Sequence, residues 1–476
     1  MSRLSLSSLF LLMILFNNCN GRKDIILPNS DADNGGLILP DGFGAVVVAD
    51  SIGPARHLAV ADNGDIYVKL KIITPDPGSV ALRDTNNDGH ADVIQPFGGY
   101  ENDGSFATEM RIHDGYLYFS SELVVYRQKL HPTELVPAEK PEVILTDHHP
   151  IRWHNAKTLA FDNEGGMYVT FSAPTNVCED WNTVDYANTK SSAGIRGYYP
   201  CPQLRDLGGV WRFDANKHNQ HQRDGKRYAT GLRSIVAMSW NDDDNSLYAL
   251  LHGRDYLEPH APQFYTPWQN AVLPAEEFLN IKEGEDYGWP YSYYDPFLKK
   301  RMMAPEYGGD GKQPATGYAD PVMALPAHWA PNDMLFYKGD QFPKRYKEGA
   351  FVAFHGSTNR GPYPQAGYIV AFVPFHNGKP AGTWEVFADG FAGIDVVAEM
   401  AQAKYRPMGL AEGPDGSLYV SDSKKGKIWR IMYKGDASSF GDAQLAAMEK
   451  RKSRSYIKEP APADSLTTAH SPEHRE

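Results

Sequence analysis

Side chains able to take up a proton or hold an anion are strung along the chain at wide intervals. In order they are His154; Arg233 within Gly231-Leu-Arg-Ser234; His252-Gly-Arg-Asp255; His328 within His328-Trp-Ala-Pro331; His355-Gly-Ser-Thr-Asn-Arg360; and Arg406 within Tyr405-Arg-Pro-Met-Gly409. An imidazole, with an unperturbed pKa of about 6.5, is the side chain best matched to proton transfer near neutrality. Guanidinium forks suit planar oxyanions. Whether these pieces make one site depends on whether the fold gathers them. Each piece also has a plainer reading: a lone histidine is commonly structural, Arg233 and Arg406 can pair with carboxylates, and Asp255 can cap a turn.

A separate stretch, Asp84-Thr-Asn-Asn-Asp-Gly-His-Ala-Asp92, has the front of a calcium loop. Asp84, Asn86, Asp88 and Asp92 stand at positions one, three, five and nine, His90 at seven, and Gly89 at the sharp turn. The twelfth position is Gln95, so the bidentate closing glutamate is missing, and a metal-free turn rich in Asx residues is the alternative.

The elements that must position these residues are strands. The chain has 476 residues, 42% of them hydrophobic, enough for one large core, and its 27 Tyr, 21 Phe, 43 Gly and 34 Pro suit short strands joined by turns. A weak repeat pairs a turn with an aromatic strand: Asp62-Asn-Gly-Asp-Ile-Tyr-Val68, Asp114-Gly-Tyr-Leu-Tyr-Phe119, Asn163-Glu-Gly-Gly-Met-Tyr-Val169, Asp244-Asn-Ser-Leu-Tyr-Ala249, Glu348-Gly-Ala-Phe-Val352 and Pro414-Asp-Gly-Ser-Leu-Tyr-Val420. Six copies predict an all-β, six-bladed β-propeller with long inter-blade loops near 172–208, 253–333 and 355–367, where chemistry is to be sought.

A net charge of -12 argues against nucleic acid or an anionic membrane surface as partner and, taken alone, favours a small neutral or cationic ligand. Residues 1–20 have the outline of a secretory signal, with Cys19 placed for lipidation although Phe16, Asn17 and Asn18 depart from a lipoprotein pattern. Export to a periplasmic or outer-surface location is expected, with membrane attachment only through that lipid. A linker over 21–39, a propeller over 40–434 and a mostly disordered tail over 435–476, with a short helix from Asp442 to Lys452, complete the layout. In an oxidising compartment Cys178 and Cys201 would close a disulfide across a loop; the alternative is two buried thiols.

The ordered set of motifs resembles the soluble glucose dehydrogenase and sorbosone dehydrogenase family, six-bladed propellers that use pyrroloquinoline quinone (PQQ) with Ca²⁺. Tyr287-Gly-Trp-Pro-Tyr291 after Pro274-Ala-Glu-Glu-Phe-Leu279, and Phe351-Val-Ala-Phe-His-Gly-Ser357, look most like the sorbosone branch. The resemblance implies oxidation of a sugar, sugar aldehyde or polyol and an external electron acceptor. It implies that His154 is the base, that Arg233 stands beside the quinone oxygens, and that Ser234, His328, Arg360 and Arg406 contact the cofactor. It further implies that the carbonyls of Gly253 and Arg254 hold the Ca²⁺. Ser234, Arg254 and Met408 depart from the glucose enzymes' pattern and make glucose a poor substrate guess. A lactonase-type hydrolase and a non-catalytic propeller that binds a glycan or protein remain the other readings.

Overall fold

The computed structural model describes residues 27–71, 78–99, 108–149, 154, 156–179, 193–454 and 456–460. The signal segment and Cys19 lie outside the described residues.

Each aromatic repeat forms the second strand of a four-stranded antiparallel sheet. Turn residues that accept positive φ, such as Gly64, Gly115, Gly165, Asn245, Glu348 and Gly416, precede Ile66–Leu70, Tyr116–Ser120, Gly166–Phe171, Ser246–Leu251, Ala350–Phe354 and Leu418–Asp422. Six such sheets make six blades. Blade 1 runs from Ala55–Val60 to Val93–Gly98 and blade 2 from Met110–His113 to Glu142–Thr146, with Gln220–His221 added in parallel. Blade 3 runs from Leu159–Phe161 to Lys226–Thr230, blade 4 from Ile235–Asn241 to Met323–Leu325, and blade 5 from Pro331–Phe336 to Glu385–Ala388. The segment expected to be loop over 253–333 thus contains two strands of blade 4, Glu276–Ile281 and Met323–Leu325. Their runs lack the turn-plus-aromatic signature that marks the second strands.

Blade 6 closes the ring. Its strands Pro407–Glu412, Leu418–Asp422 and Ile428–Tyr433 come from the end of the propeller, and its fourth, Phe43–Ala49, from the beginning. Phe43 pairs with Tyr433 and Val47 with Trp429, so the two ends of the propeller are joined by a ladder. The fully buried Trp429 packs edge-on against Phe391 and Tyr405. A helix, Asp442–Arg454, follows and docks on the outer strand of blade 5, with Met448 buried and Arg451 paired to Asp389.

The innermost strands all run the same way through the central channel. Residues immediately before them gather at one mouth, and their last residues, among them Val60, His113, Phe161, Trp240, Phe336 and Glu412, line a cavity of about 460 Å³ at the other. Between the two, a buried charge knot joins the blades: Arg111 bonds Asp333 at 2.6 Å and approaches Glu109 at 3.3 Å, and Asp333 also accepts the Leu410 N–H at 2.7 Å. His57, Glu109 and Asp333 are fully buried there.

Candidate active site

In an antiparallel sheet the start of the first strand lies beside the end of the second, so one mouth collects both sets of residues. The starts supply Arg56, Arg233, Ala330 and Arg406; the ends supply His252 and His355. With His154, Asp255, Glu276, His328 and the 356–359 segment, most of them enclose a cavity of about 260 Å³. His154, Arg233, His328 and Arg406, far apart in sequence, all line it.

His154 reaches across to blade 3, where its Nδ1 lies 2.8 Å from the carbonyl of Ala173. A carbonyl only accepts, so Nδ1 carries the proton and Nε2 carries the lone pair. Burial, followed by the nearby Arg233 charge, holds the imidazole pKa down to about 3. A titration near neutrality was expected from sequence; the site instead keeps this base neutral throughout the physiological range.

Arg233 donates from Nη1 to the Gly253 carbonyl at 2.9 Å and from Nη2 to Asp255 Oδ2 at 2.7 Å. Its Nε is buried and meets no acceptor among the described residues. Asp255 is held on its other oxygen by Asn359 Nδ2 at 2.6 Å and by His328 Nδ1 at 3.5 Å. Burial pushes the Asp255 carboxyl up, but Arg233 and His328 outweigh it and keep the group ionised well below the usual carboxylate range. His328 Nε2 faces two carbonyls, those of Asn270 at 2.8 Å and Leu273 at 3.0 Å. Burial opposes a charge on this ring, yet Asp255 raises its pKa above the ordinary value. Asp255 thus sits between two cations.

The far side of the mouth is cationic with little to balance it. Arg406 donates to the carbonyls of His355 at 2.9 Å and Gly356 at 2.8 Å, while Arg56 and Lys71 stand within electrostatic range. Burial brings Arg406 down to about 10; burial and the neighbouring Arg406 bring Arg56 down to about 10 as well. The Arg56 Nε is a second buried donor with no acceptor among the described residues. His355, bonded through Nε2 to Ser423 Oγ at 2.6 Å, is pushed well below its ordinary pKa by burial and by Arg406 and Arg56. Mutual repulsion of this kind is relieved by a bound anion. Arg56 and Lys71 were not foreseen: Arg56 lies inside an unremarkable strand run, Ala55-Arg-His-Leu-Ala-Val60, and only closure of the ring brings it within electrostatic range of Arg406.

The residues fit PQQ, a planar tricarboxylate, in the excess of positive charge at the mouth and in the two arginines, Arg233 and Arg406, that line the cavity. They do not fit Ca²⁺ as arranged. The Gly253 carbonyl is taken by Arg233, both Asp255 oxygens have N–H partners, and Glu276 accepts from the N–H groups of Gly253 at 2.8 Å and Ala330 at 3.1 Å. A calcium ion about 2.4 Å from the Gly253 oxygen would lie against the Arg233 charge. Arg254 is used differently too: its side chain is buried against Glu306 and His260 and fastens the 253–256 turn to the insertion after blade 4's third strand. No group of three or more His, Cys, Asp or Glu side chains poised for a metal ion occurs among the described residues.

Two other expectations resolve differently. Arg360 does not line this cavity, although its neighbour Asn359 does; it faces two other cavities behind the segment. In the stretch 84–92, Asp84 accepts the N–H groups of Asn86, Asn87 and Gly89, Asp88 that of His90, and Asp92 that of Thr85. This is the bonding of a closed Asx-rich turn. Ser234 is buried next to Arg233 but does not line the cavity, and Cys178 and Cys201 are joined by a disulfide in the loop beside Trp289.

Comparison with known proteins places this geometry among related molecules. The chain is 29% identical over 208 residues to an uncharacterised protein of Borreliella burgdorferi, covering 43% of the chain and 48% of that protein. It is 34% identical over 125 residues to a pyrroloquinoline quinone-dependent pyranose dehydrogenase of Coprinopsis cinerea, covering 23% of the chain and 16% of the relative. The chain therefore spans about half or less of the length of these relatives. In fold it is similar to the family AA12 carbohydrate-active enzyme of Trichoderma reesei, with a TM-score of 0.65 at 18% identity over 85% of this chain and 99% of that one. It is also similar to the PQQ domain of the Coprinopsis cinerea pyranose dehydrogenase in its holo form, with a TM-score of 0.61 at 18% identity over 86% and 98% of the two chains. A family model described as TrAA12-like matches residues 37–434, the whole ring from just before its closing strand to just past its last, and the chain belongs to that family.

Proposed function

We propose that this protein is a PQQ-dependent dehydrogenase that oxidises a hydroxyl of a sugar, a hydrated sugar aldehyde or a related polyol. The observation that carries the reading is the tautomer of His154, a neutral base aimed into a cavity whose other walls are cationic. When bound, PQQ supplies a two-electron acceptor for the hydride that leaves the substrate carbon. Everything else is the chain's own work. His154 Nε2 takes the hydroxyl proton, and its Nδ1–H keeps the bond to Ala173 that fixes the ring. Arg233 and Arg406, which both line the cavity, would hold the cofactor's oxygens, with Asp255 fixing the Arg233 fork. The electrons then pass to an external acceptor.

Two finer points belong to the same reading. A sorbosone-like aldehyde is one member of the substrate class, carried by Tyr287–Tyr291 and Phe351–Ser357. The disulfide between Cys178 and Cys201 supports an exported protein, with lipid at Cys19 as its attachment.

Titration of the purified protein with PQQ, with and without added calcium, followed by a panel of aldoses, sugar aldehydes and polyols with an artificial electron acceptor, tests the reading. Stoichiometric binding and substrate-dependent reduction are expected. No binding at micromolar PQQ under either condition would sink it, and would turn the cationic mouth towards recognition of another anion.

A further inference from the structure

Five arginines are buried among the described residues: Arg127, Arg233, Arg254, Arg301 and Arg360. Four face a carboxylate, namely Glu142, Asp255, Glu306 and Glu277. Arg360, only 3% exposed, makes no ion pair among the described residues, the Asp389 and Asp395 carboxylates of the neighbouring cavity being paired with Arg451, and its Nε is a buried donor without an acceptor. Burying an unpaired charge is costly, and a fold that keeps one is arranged for a counter-ion that comes from outside. Burial brings this guanidinium down to about 10, which leaves it charged at neutral pH.

The surroundings of Arg360 say which anion. Asn359 points into the central cavity and bonds Asp255, but Arg360 turns to the opposite side of the same segment. There two cavities, of about 260 and 180 Å³, meet at Arg360 and Ile457. The larger is walled by Val272, Phe297, Leu325, Trp329, Trp384 and Tyr456. Trp329 and Trp384 meet edge to face with centroids 5.3 Å apart, and Tyr456 tilts against Trp384 at 6.4 Å. The chain after helix Asp442–Arg454 forms part of the wall, pinned where Trp268 Nε1 donates to the Ile457 carbonyl at 3.3 Å. A mostly apolar, aromatic-walled pocket with one charged fork in it selects a flat apolar body carrying a single oxyanion. The larger cavity exceeds the roughly 150 Å³ that accommodates benzene, so a body of one or two rings fits.

We propose that the pocket between blade 5, the 266–273 helix region and the 456–457 segment is a second binding site, separate from the central cavity, and that it takes an aromatic monocarboxylate whose carboxylate pairs with Arg360. The site stands on its own geometry and holds whether or not the central cavity binds PQQ.

Calorimetric titration of the full chain with 2-naphthoate, 2-naphthamide and 2-naphthylmethylammonium tests this with the wild-type protein alone. Naphthoate is expected to bind at least tenfold more tightly than the amide of the same shape, with quenching of tryptophan fluorescence, and the ammonium not to bind. Arg360→Gln should lose at least tenfold of the naphthoate affinity, whereas Arg406→Gln and saturating PQQ should leave it unchanged. Equal binding of naphthoate and naphthamide, or no binding of naphthoate at millimolar concentration, overturns the proposal. Loss of naphthoate binding in Arg406→Gln but not in Arg360→Gln also overturns it, because the carboxylate would then be read by the central cavity.

Discussion

His154 and Arg233 hold opposite sides of one residue: the imidazole Nδ1 meets the Ala173 carbonyl at 2.8 Å, and the Ala173 N–H donates to the Arg233 carbonyl at 2.8 Å. The base and the guanidinium are therefore set at a fixed spacing by the backbone at the end of blade 3's second strand. This spacing explains how Arg233 depresses the His154 pKa without bonding to it.

Replacing the base isolates its role. His154→Gln removes the lone pair that would accept the substrate proton but leaves Arg233, Asp255 and Arg406 in place. The expected result is a fall in kcat of about 10²- to 10⁴-fold, the usual worth of a positioned base, with PQQ affinity within a few-fold of wild type. Steady-state kinetics on the PQQ-loaded variant, paired with a PQQ titration, reads both. An unchanged kcat would remove His154 from the chemistry.

Arg406 should matter for affinity instead. Among the described residues its guanidinium donates to backbone carbonyls and the Met400 sulfur and lies over the Tyr368 ring, with no carboxylate paired to it, and it stands near other cations, so a bound oxyanion is the partner that its surroundings lack. A charge-assisted hydrogen bond contributes about 1.5 to 3 kcal/mol. Arg406→Gln is accordingly expected to weaken PQQ binding by roughly 10- to 100-fold, and the loss should shrink as salt rises. Arg360→Gln, facing the other cavity, should leave PQQ affinity alone.

Asn359 and Arg360 are adjacent in the chain yet serve different cavities: Asn359 faces the centre and Arg360 does not. Sequence spacing cannot resolve this in an irregular segment with no alternation to count. The blades were legible for the opposite reason. Each second strand is buried on both faces and preceded by a turn, and the pattern of Tyr67, Tyr118, Tyr168, Tyr248, Phe351 and Tyr419 repeats six times. His154, Arg233, His328 and Arg406 were legible through the ordered motifs that carry the family resemblance, and they line one cavity. Arg56, Glu276 and Asn359 were not, since each acquires its neighbours only when distant blades meet around the channel.

Asp255 is predicted to be a stability residue as well as a positioning one. Its carboxylate neutralises Arg233, whose side chain is 4% exposed, and also holds His328 and Asn359. Asp255→Asn leaves the guanidinium buried without its counter-charge, a change that costs about 3 to 5 kcal/mol in comparable buried pairs. Urea unfolding of the variant should show that loss, and PQQ at saturating concentration should recover part of it by stabilising the folded form. A variant as stable as wild type would mean that water, not Asp255, balances Arg233.

The pH dependence draws on four histidines of unequal sign, His113 being lowered by burial alongside the three at the mouth. His154, down to about 3, and His355, well below its ordinary value, are both depressed in the folded protein by burial and by neighbouring arginines. The unfolded chain therefore binds protons at these two positions before the folded chain does, and stability is lost as pH falls below about 6.5. His328 acts the other way: raised by Asp255, it contributes stability below about 6.5 that is lost as pH rises through its folded pKa. With His113 three depressed groups oppose one raised, so the melting temperature of the protein without PQQ should decline from pH 7 to pH 4. The decline should be shallower in His154→Gln and steeper in His328→Gln, as read by thermal unfolding in buffers of constant ionic strength. The same depression predicts that kcat/KM shows no acid limb near 6.5 from the base itself. A limb there that vanished in the His355→Gln variant would assign it to His355, and one that persisted in every variant except His154→Gln would show that the base titrates near neutrality after all.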